Sequence, residues 1–257
     1  MNLETYRIKP AVSWPGGKSK LLKYILPLIP KHTCYVEPFA GGLAVLLAKP
    51  RSQIEVLNDL NGDLVTFYRC VRFHADTLLT ELEFVLNSRK EFFDFADQPG
   101  LTDIQRASRW FFRHRNCFRG ASLGTFGVSP TSTGSASGSR SARMESIREL
   151  NLRMDRVIVE NMDWKKCLDS YDRPTSFFFL DPPYTDCAAG MYAAWTITDV
   201  QAMKQRLDTL KGKWMVTLND SPAIRRVFAG CRIQAVTRPK GIGGKGVPYN
   251  EIIVTAQ

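Results

Sequence analysis

The chain has only three histidines and no pair of cysteines spaced Cys-x-x-Cys, which leaves it without a zinc-binding cluster or a dithiol redox motif. Its six cysteines, Cys34, Cys70, Cys117, Cys167, Cys187 and Cys231, are scattered, several within apolar stretches. They read as reduced, mostly buried thiols rather than a disulfide framework. No metal is expected. Long hydrophobic runs are also missing: none approaches the ~20 residues of a membrane span, and residues 1–10 lack the apolar centre of a signal peptide. These absences point to a cytoplasmic protein with no membrane partner. No internal repeat is present. Acid is scarce relative to base, with 25 Asp and Glu against 35 Lys and Arg, a net charge of +10 and a pI near 9.4, a balance that favours a polyanionic partner. Between Leu101 and Arg156 lysine is absent altogether, and ten arginines stand against four acids, so this fifth of the chain carries +6. Arginine rather than lysine suits planar, bidentate contacts with phosphates and guanine edges.

What is there is enough for one large domain or a core with an insert: 257 residues, 44% of them hydrophobic. A helix is predicted over residues 19–28. Cys34-Tyr35-Val36-Glu37 predicts a short strand ended by Pro38, followed by a tight turn at Gly41-Gly42 and a helix over residues 43–49. A second strand over residues 54–57 closes on Asn58-Asp59. Strand, glycine turn, helix, strand and acid, in that order, make a Rossmann-like half. Helical spacing then covers residues 61–73, 76–86, 89–96 and 103–115. Residues 120–141, rich in Gly, Ser and Thr, predict a mobile loop, and residues 143–156 a further helix. No strand signal interrupts residues 71–156. Strands resume over residues 157–159, 177–180, 214–218, 232–237 and 251–255, with helices over 199–210 and 222–228. The expected fold is α/β: a Rossmann-like core of residues 1–70 and 157–257, interrupted by a mostly helical insert, residues 71–156.

The segment Phe177-Phe178-Phe179-Leu180-Asp181-Pro182-Pro183-Tyr184 carries the most information. Four large apolar residues read as a buried strand, and two prolines force the backbone out of the sheet at a fixed φ. An acid and an aromatic ring are thereby held at a strand's carboxyl end, where open α/β sheets bind their ligands. Asp-Pro-Pro-Tyr resembles the short motif of enzymes that methylate an exocyclic amine, most often N6 of adenine in DNA. That amine is a poor nucleophile because its lone pair is delocalised into the ring. Two acceptors aimed at its protons, the Asp181 carboxylate and the Pro182 carbonyl, would localise the lone pair and gain strength as positive charge grows on nitrogen. Tyr184 is expected to stack on the base, a contact worth ~1–3 kcal/mol, once the base has left the duplex.

Three further groups accompany it. Glu37-Pro38-Phe39-Ala40-Gly41-Gly42 follows a strand, and its glycines let backbone approach a ligand. Asp59 ends the next strand, where Rossmann folds place an acid on ribose hydroxyls; a helix N-cap is the alternative. Trp14-Pro15-Gly16-Gly17-Lys18-Ser19 resembles the end of a phosphate-binding loop, but Val12 stands where that loop needs glycine and no strand precedes it. A cation beside a tryptophan suits an amino-acid carboxylate and a methylsulfonium instead.

In this order the groups resemble the Dam-type N6-adenine DNA methyltransferases, over nearly the full length. That family has a Trp-x-Gly-Gly-Lys box, then Glu/Asp-Pro-Phe-x-Gly, an acid after the second strand, a DNA-recognition insert, and Asp-Pro-Pro-Tyr. Leu218-Asn219-Asp220 and Asn250-Glu251-Ile252-Ile253-Val254-Thr255 sit where the family has two later strands. The resemblance implies S-adenosylmethionine as cofactor and S-adenosylhomocysteine as product, with double-stranded DNA as partner. Trp14, Gly17 and Lys18 would hold the methionine end, Glu37, Phe39, Gly41 and Gly42 would line the pocket, and Asp59 would take the ribose. Asp181 would face both cofactor and adenine, with Pro182, Pro183 and Tyr184 completing the catalytic motif. Arg109, Arg113, Arg115, Asn116 and Arg119 in the insert, and Lys245 in the glycine-rich segment near it in role, are the candidate DNA contacts; Tyr192 and Trp195 are candidate caps on the flipped base. Two departures stand out. Leu43 replaces a glycine of the family's turn, and His114-Arg115-Asn116-Cys117-Phe118-Arg119-Gly120 replaces Asn-Arg-x-x-x-Asn-Gly, so the target sequence does not carry over. Methylation of RNA or of a protein glutamine amide, and a non-catalytic nucleic-acid-binding module, are the alternatives; Asp181, the split core and the basic insert favour DNA. A monomer is expected, from a restriction–modification pair, a phage or a solitary methylase.

Overall fold

Strand β6, Ser176–Leu180, is buried at all five positions, as a strand covered on both faces must be. It lies at the centre of a seven-stranded sheet with β1 (Cys34–Glu37), β2 (Ile54–Asn58), β5 (Val157–Glu160), β7 (Lys213–Asn219), β8 (Arg232–Pro239) and β9 (Pro248–Thr255), in the order β5-β2-β1-β6-β7-β9-β8. The computed structural model describes residues 8–118, 122–127, 139–185, 195–239 and 248–256, with backbone alone at 118, 122, 123, 238, 239 and 248. The first five strands of that order run parallel, and β9 pairs antiparallel with β7 and β8. From β1 the chain builds outward to β2 and β5, then returns to place β6 and β7 on the other side of β1. The strand order therefore reverses between β1 and β6, which pair in the register Val36↔Phe178. The crevice beyond the carboxyl ends of these two strands is where such a sheet binds ligand.

Alternation along the strands sends side chains to two cores. Tyr35, Phe177 and Phe179 face one cluster, and Val36, Phe178 and Leu180 the other, following the two-residue period of a strand. The helices among the described residues are α1 (Leu22–Ile25), α2 (Ala44–Ala48), α3 (Gly62–Phe73), α4 (Ala75–Phe84), α5 (Arg89–Asp97), α6 (Asp103–Asn116), α7 (Arg140–Met154), α8 (Trp164–Tyr171), α9 (Ile197–Leu207) and α10 (Pro222–Val227). Side chains cap their starts: Asn61 accepts from two N–H groups of α3, Thr102 caps α6, and Thr196 with Asp199 forms a capping box on α9.

Three details differ from the sequence expectation. The helix over residues 19–28 is broken into α1 flanked by 3₁₀ turns, Lys18–Lys20 and Leu26–Leu28, since Pro27 has no N–H to continue an α-helix. Helix α8 was not expected, although Trp164, Cys167, Leu168 and Tyr171 stand at helical spacing and pack on one core and Asp163 caps its start; at eight residues it is a short instance of that signal. The insert is not wholly helical: β3 (Cys117–Phe118) and β4 (Ser122–Phe126) form an antiparallel hairpin at the end of α6. Its glycine- and serine-rich composition hides a strand fixed by pairing and by Phe126, whose ring meets Phe92 at 5.3 Å.

The arginine-rich helices pack into the main core. Ala107, Trp110 and Phe111 of α6 and Met144, Ile147, Leu150 and Met154 of α7 share one cluster with Leu64, Phe67 and Tyr68 of α3. Phe111 stacks on Phe67 at 4.9 Å with the rings 4° apart. At the end of α7, buried Arg153 meets the Glu55 carboxylate on β2 at 2.5 Å, and Lys49 meets the same carboxylate at 2.5 Å. The described cysteines are all unbridged, and four of them are buried; Cys187 lies outside the described residues.

Candidate active site

The chain leaves the sheet at Asp181, and residues from four separate segments converge there. Lys18 Nζ lies 2.7 Å from Asp181 Oδ1, and the Thr217 hydroxyl, on neighbouring β7, donates to the same oxygen at 2.8 Å. The Asp181 side chain is 21% exposed while that of Lys18 is 4% exposed, so the pair faces outward through its acid. Burial raises the Asp181 pKa above that of an ordinary carboxyl, and Lys18 and Thr217 act against that rise. Tyr184 follows two buried or half-buried prolines and is itself buried. Its hydroxyl donates to Glu251 Oε1 at 2.8 Å, and Lys18 Nζ stands 4.8 Å from its ring centre. Glu251, fully buried on β9, is also 3.9 Å from Lys18. Just past the motif, Asn219 at the end of β7 reaches Thr185 Oγ1 at 3.3 Å.

The Trp14 box aims Lys18 inward by a turn. Gly17 N–H donates to Trp14 O at 3.0 Å, with Pro15 fixing φ and Gly16 at φ 76, the requirements of a type II turn. Lys18 Nζ donates back to Gly16 O at 2.5 Å. Trp14 in turn lies on the β1–α2 turn: a Cβ on Gly41 would sit 2.7 Å from its Cδ1. Gly41 also has φ 45, so glycine is required there twice over. Its N–H donates to Asp59 Oδ2 at 3.0 Å, and Tyr68 donates to its carbonyl at 2.5 Å. Asp59 is buried and accepts from Asn61 N–H through its other oxygen at 2.9 Å; burial raises its pKa, and these backbone donors hold the rise in check.

Glu37 is buried at the end of β1. Its Oε1 accepts from the Tyr35 hydroxyl at 2.6 Å and from Leu46 N–H at 2.8 Å, and burial pushes its pKa up to about 7. Asn58 ties three strand ends together: its amide donates to Pro38 O at 2.9 Å and Met162 O at 3.0 Å, and its oxygen accepts from Met162 N–H at 2.9 Å. Phe39 opens a half-buried aromatic trio, 5.5 Å from Trp195 and 6.2 Å from Trp164.

Of the residues anticipated on DNA, four are described; three are half-exposed arginines that also touch the protein, and Asn116 is buried. Arg109 donates to Gln98 O at 2.6 Å and lies 5.0 Å over Phe95. Arg113 lies 5.5 Å over Phe92, Arg115 donates to Ala11 O at 3.2 Å, and Asn116, fully buried, donates to Phe112 O at 2.9 Å. Arg119, Tyr192 and Lys245 lie outside the described residues. Among the described residues no group of three His, Cys, Asp or Glu side chains is placed to hold a metal, and no helix is long and apolar enough to cross a membrane.

Comparison with known proteins decides what this arrangement belongs to. The family model of D12 class N6 adenine-specific DNA methyltransferases matches residues 14–238. The chain belongs to that family. The type II methyltransferase M.CviBI of Paramecium bursaria Chlorella virus NC1A is 25% identical over 234 residues, 87% of each chain. The type II methyltransferase M.MjaIII of Methanocaldococcus jannaschii is 28% identical over 205 residues, 69% of each. A DNA adenine methylase of Salmonella typhi is 37% identical over 87 residues, covering 34% of this chain and 29% of that one. The adenine-specific DNA methyltransferase thus places its Asp-Pro-Pro-Tyr motif at the switch point of its sheet. Thr217, Tyr68 and Met162 have no motif of their own and became visible only through geometry. Glu251 had a weak signal, a lone acid opening an apolar strand.

Proposed function

We propose that the protein transfers the methyl group of S-adenosylmethionine to N6 of an adenine flipped out of double-stranded DNA, leaving S-adenosylhomocysteine. The residues at the switch point fit that cofactor. The Gly41–Gly42 turn brings backbone and the overlying Trp14 together, Asp59 offers a carboxylate suited to ribose hydroxyls, and Lys18 offers a cation suited to the methionine carboxylate. The half-buried rings of Phe39 and Trp164 offer apolar faces to its adenine. When bound, the cofactor supplies an electrophilic methyl group.

The observation that carries this reading is the Asp181 carboxyl group, partly open to the surface and paired with Lys18 at 2.7 Å, which opposes the rise in pKa that burial causes. As an acceptor, with the Pro182 carbonyl beside it in the chain, it draws on the amine protons of the target and localises the nitrogen lone pair. The acceptors are already oriented, so their effect is greatest as charge develops on nitrogen. Tyr184, with its hydroxyl on Glu251, holds the motif rigid from below. Residues 71–156 act as the target-recognition insert on a core of residues 1–70 and 157–257, and a single chain works on DNA in the cytoplasm. Replacing Asp181→Ala is expected to lower methyl transfer to duplex DNA by about 10²-fold or more while DNA binding survives. Labelled cofactor, followed by nucleoside analysis for N6-methyladenine, is the measurement. Near-normal transfer by the variant, or label found in RNA or protein but not in DNA, overturns the proposal.

A further inference from the structure

Histidine 114 sits on the arginine-rich helix, yet its contacts lead to the cofactor side of the molecule. It lies one turn beyond Trp110 on the same face of α6, and the two rings stack at 5.0 Å and 18°. Trp14 stacks on His114 from the other chain segment at 5.3 Å and 20°. His114 is buried, and its Nε2 lies 2.9 Å from Ser13 O. A carbonyl only accepts, so Nε2 carries a proton; burial lowers the pKa of the ring. The next residue, Arg115, donates to Ala11 O. The last turn of α6 thus grips residues 11–14, the segment that ends in Trp14, whose ring lies on Gly41 and whose Cβ lies against Gly42, and leads into Lys18.

We propose that His114 is a positioning residue of the cofactor pocket: it holds Trp14 on the Gly41–Gly42 turn by ring stacking and by its hydrogen bond to Ser13. The inference rests on the reading of that pocket as the S-adenosylmethionine site. It runs against the residue's surroundings, since a histidine between two arginines on a recognition helix invites assignment to DNA. The stack limits how far the indole can leave the turn, and the hydrogen bond fixes the backbone before it. Without the imidazole the hold of Trp14 on the turn is loose, and the cost falls on the cofactor alone.

The test is steady-state kinetics of the full chain with plasmid DNA, varying each substrate in turn, for His114→Ala, His114→Phe and His114→Asn. The alanine variant should raise KM for S-adenosylmethionine by about ten-fold, the size of a lost aromatic stack and hydrogen bond. Its KM for DNA and its kcat at saturating cofactor should stay near wild type. Phenylalanine, which keeps the ring, and asparagine, which keeps a donor, should each restore part of the affinity. A merely destabilised protein would instead lose kcat by losing active molecules and leave KM unchanged; that result overturns the assignment, as does a rise in KM for DNA. If the alanine variant does not fold, the phenylalanine variant decides, and wild-type cofactor KM in it also overturns the assignment. Titration of the wild type with S-adenosylhomocysteine separates the two levels: no binding there overturns the pocket reading itself.

Discussion

Leucine 43 carries a branched side chain on a left-handed backbone, φ 59 and ψ 27, and yet is buried in the main core. The departure from the family's glycine thus has a physical meaning: the turn still needs the glycine conformation, and this chain meets it with a residue that is strained by about 1–2 kcal/mol. Core burial of the side chain offsets the strain. Leu43→Ala keeps the strain and loses the packing, and should cost about 2–5 kcal/mol in urea unfolding. Leu43→Gly, although smaller still, should cost less than alanine by roughly 1 kcal/mol because it relieves φ. The reverse order would show that the left-handed turn carries no strain. At this scale the motif residues were legible because their chemistry is unusual: an acid and two prolines after an apolar run announce themselves. Thr217 was not, since a threonine in a strand is ordinary until its hydroxyl is found 2.8 Å from Asp181.

Helix α2 illustrates how an element is held and how that hold depends on pH. Its backbone is tied to β1 by Glu37, which takes Leu46 N–H and the Tyr35 hydroxyl on one oxygen. Burial raises the Glu37 pKa from 4.5 to about 7, so between those values the folded protein holds a proton that the unfolded chain has released. Stability from this group is then complete below pH 4.5, declines as pH rises through the window, and is lost above about pH 7. Glu37→Gln keeps an acceptor and removes the titration, so its melting temperature should decline less than that of wild type between pH 5 and 7. Parallel slopes for the two proteins would refute the assignment. Most elements could be read in advance because strands buried on both faces are continuous apolar runs and helices have capped starts. The β3–β4 hairpin could not, as its pairing is set by tertiary neighbours such as Phe92 rather than by strand-forming residues.

For the whole molecule, charge and packing divide the arginines into two populations. Arg153 is buried on Glu55 and Leu46 O, whereas Arg140 at the start of α7 is 59% exposed and faces Glu83 at 3.4 Å. Composition cannot separate them, which is why the net charge of residues 101–156 was legible in the sequence and the exposure of each arginine was not. If the exposed set meets phosphates, DNA affinity must fall steeply with salt, and Arg140→Ala should reduce the slope of log affinity against log salt by about 1. Arg153→Ala should leave that slope alone and instead destabilise the fold, by less than the ~3–5 kcal/mol of a fully stranded buried charge because Lys49 still pairs with Glu55. Anisotropy titrations over a range of salt and a thermal melt distinguish the two; a flat salt response in the wild type would place the DNA elsewhere.

The meeting of Lys18, Asp181 and Glu251 also sets a schedule. These three residues are far apart along the chain, and the last comes on β9, which inserts between β7 and β8. A ribosome that has made the Asp-Pro-Pro-Tyr motif has therefore not yet made its support. The growing chain carries Asp181 for the next 70 residues without Glu251, the buried carboxylate that accepts from Tyr184, and the cluster closes only when β9 is in place.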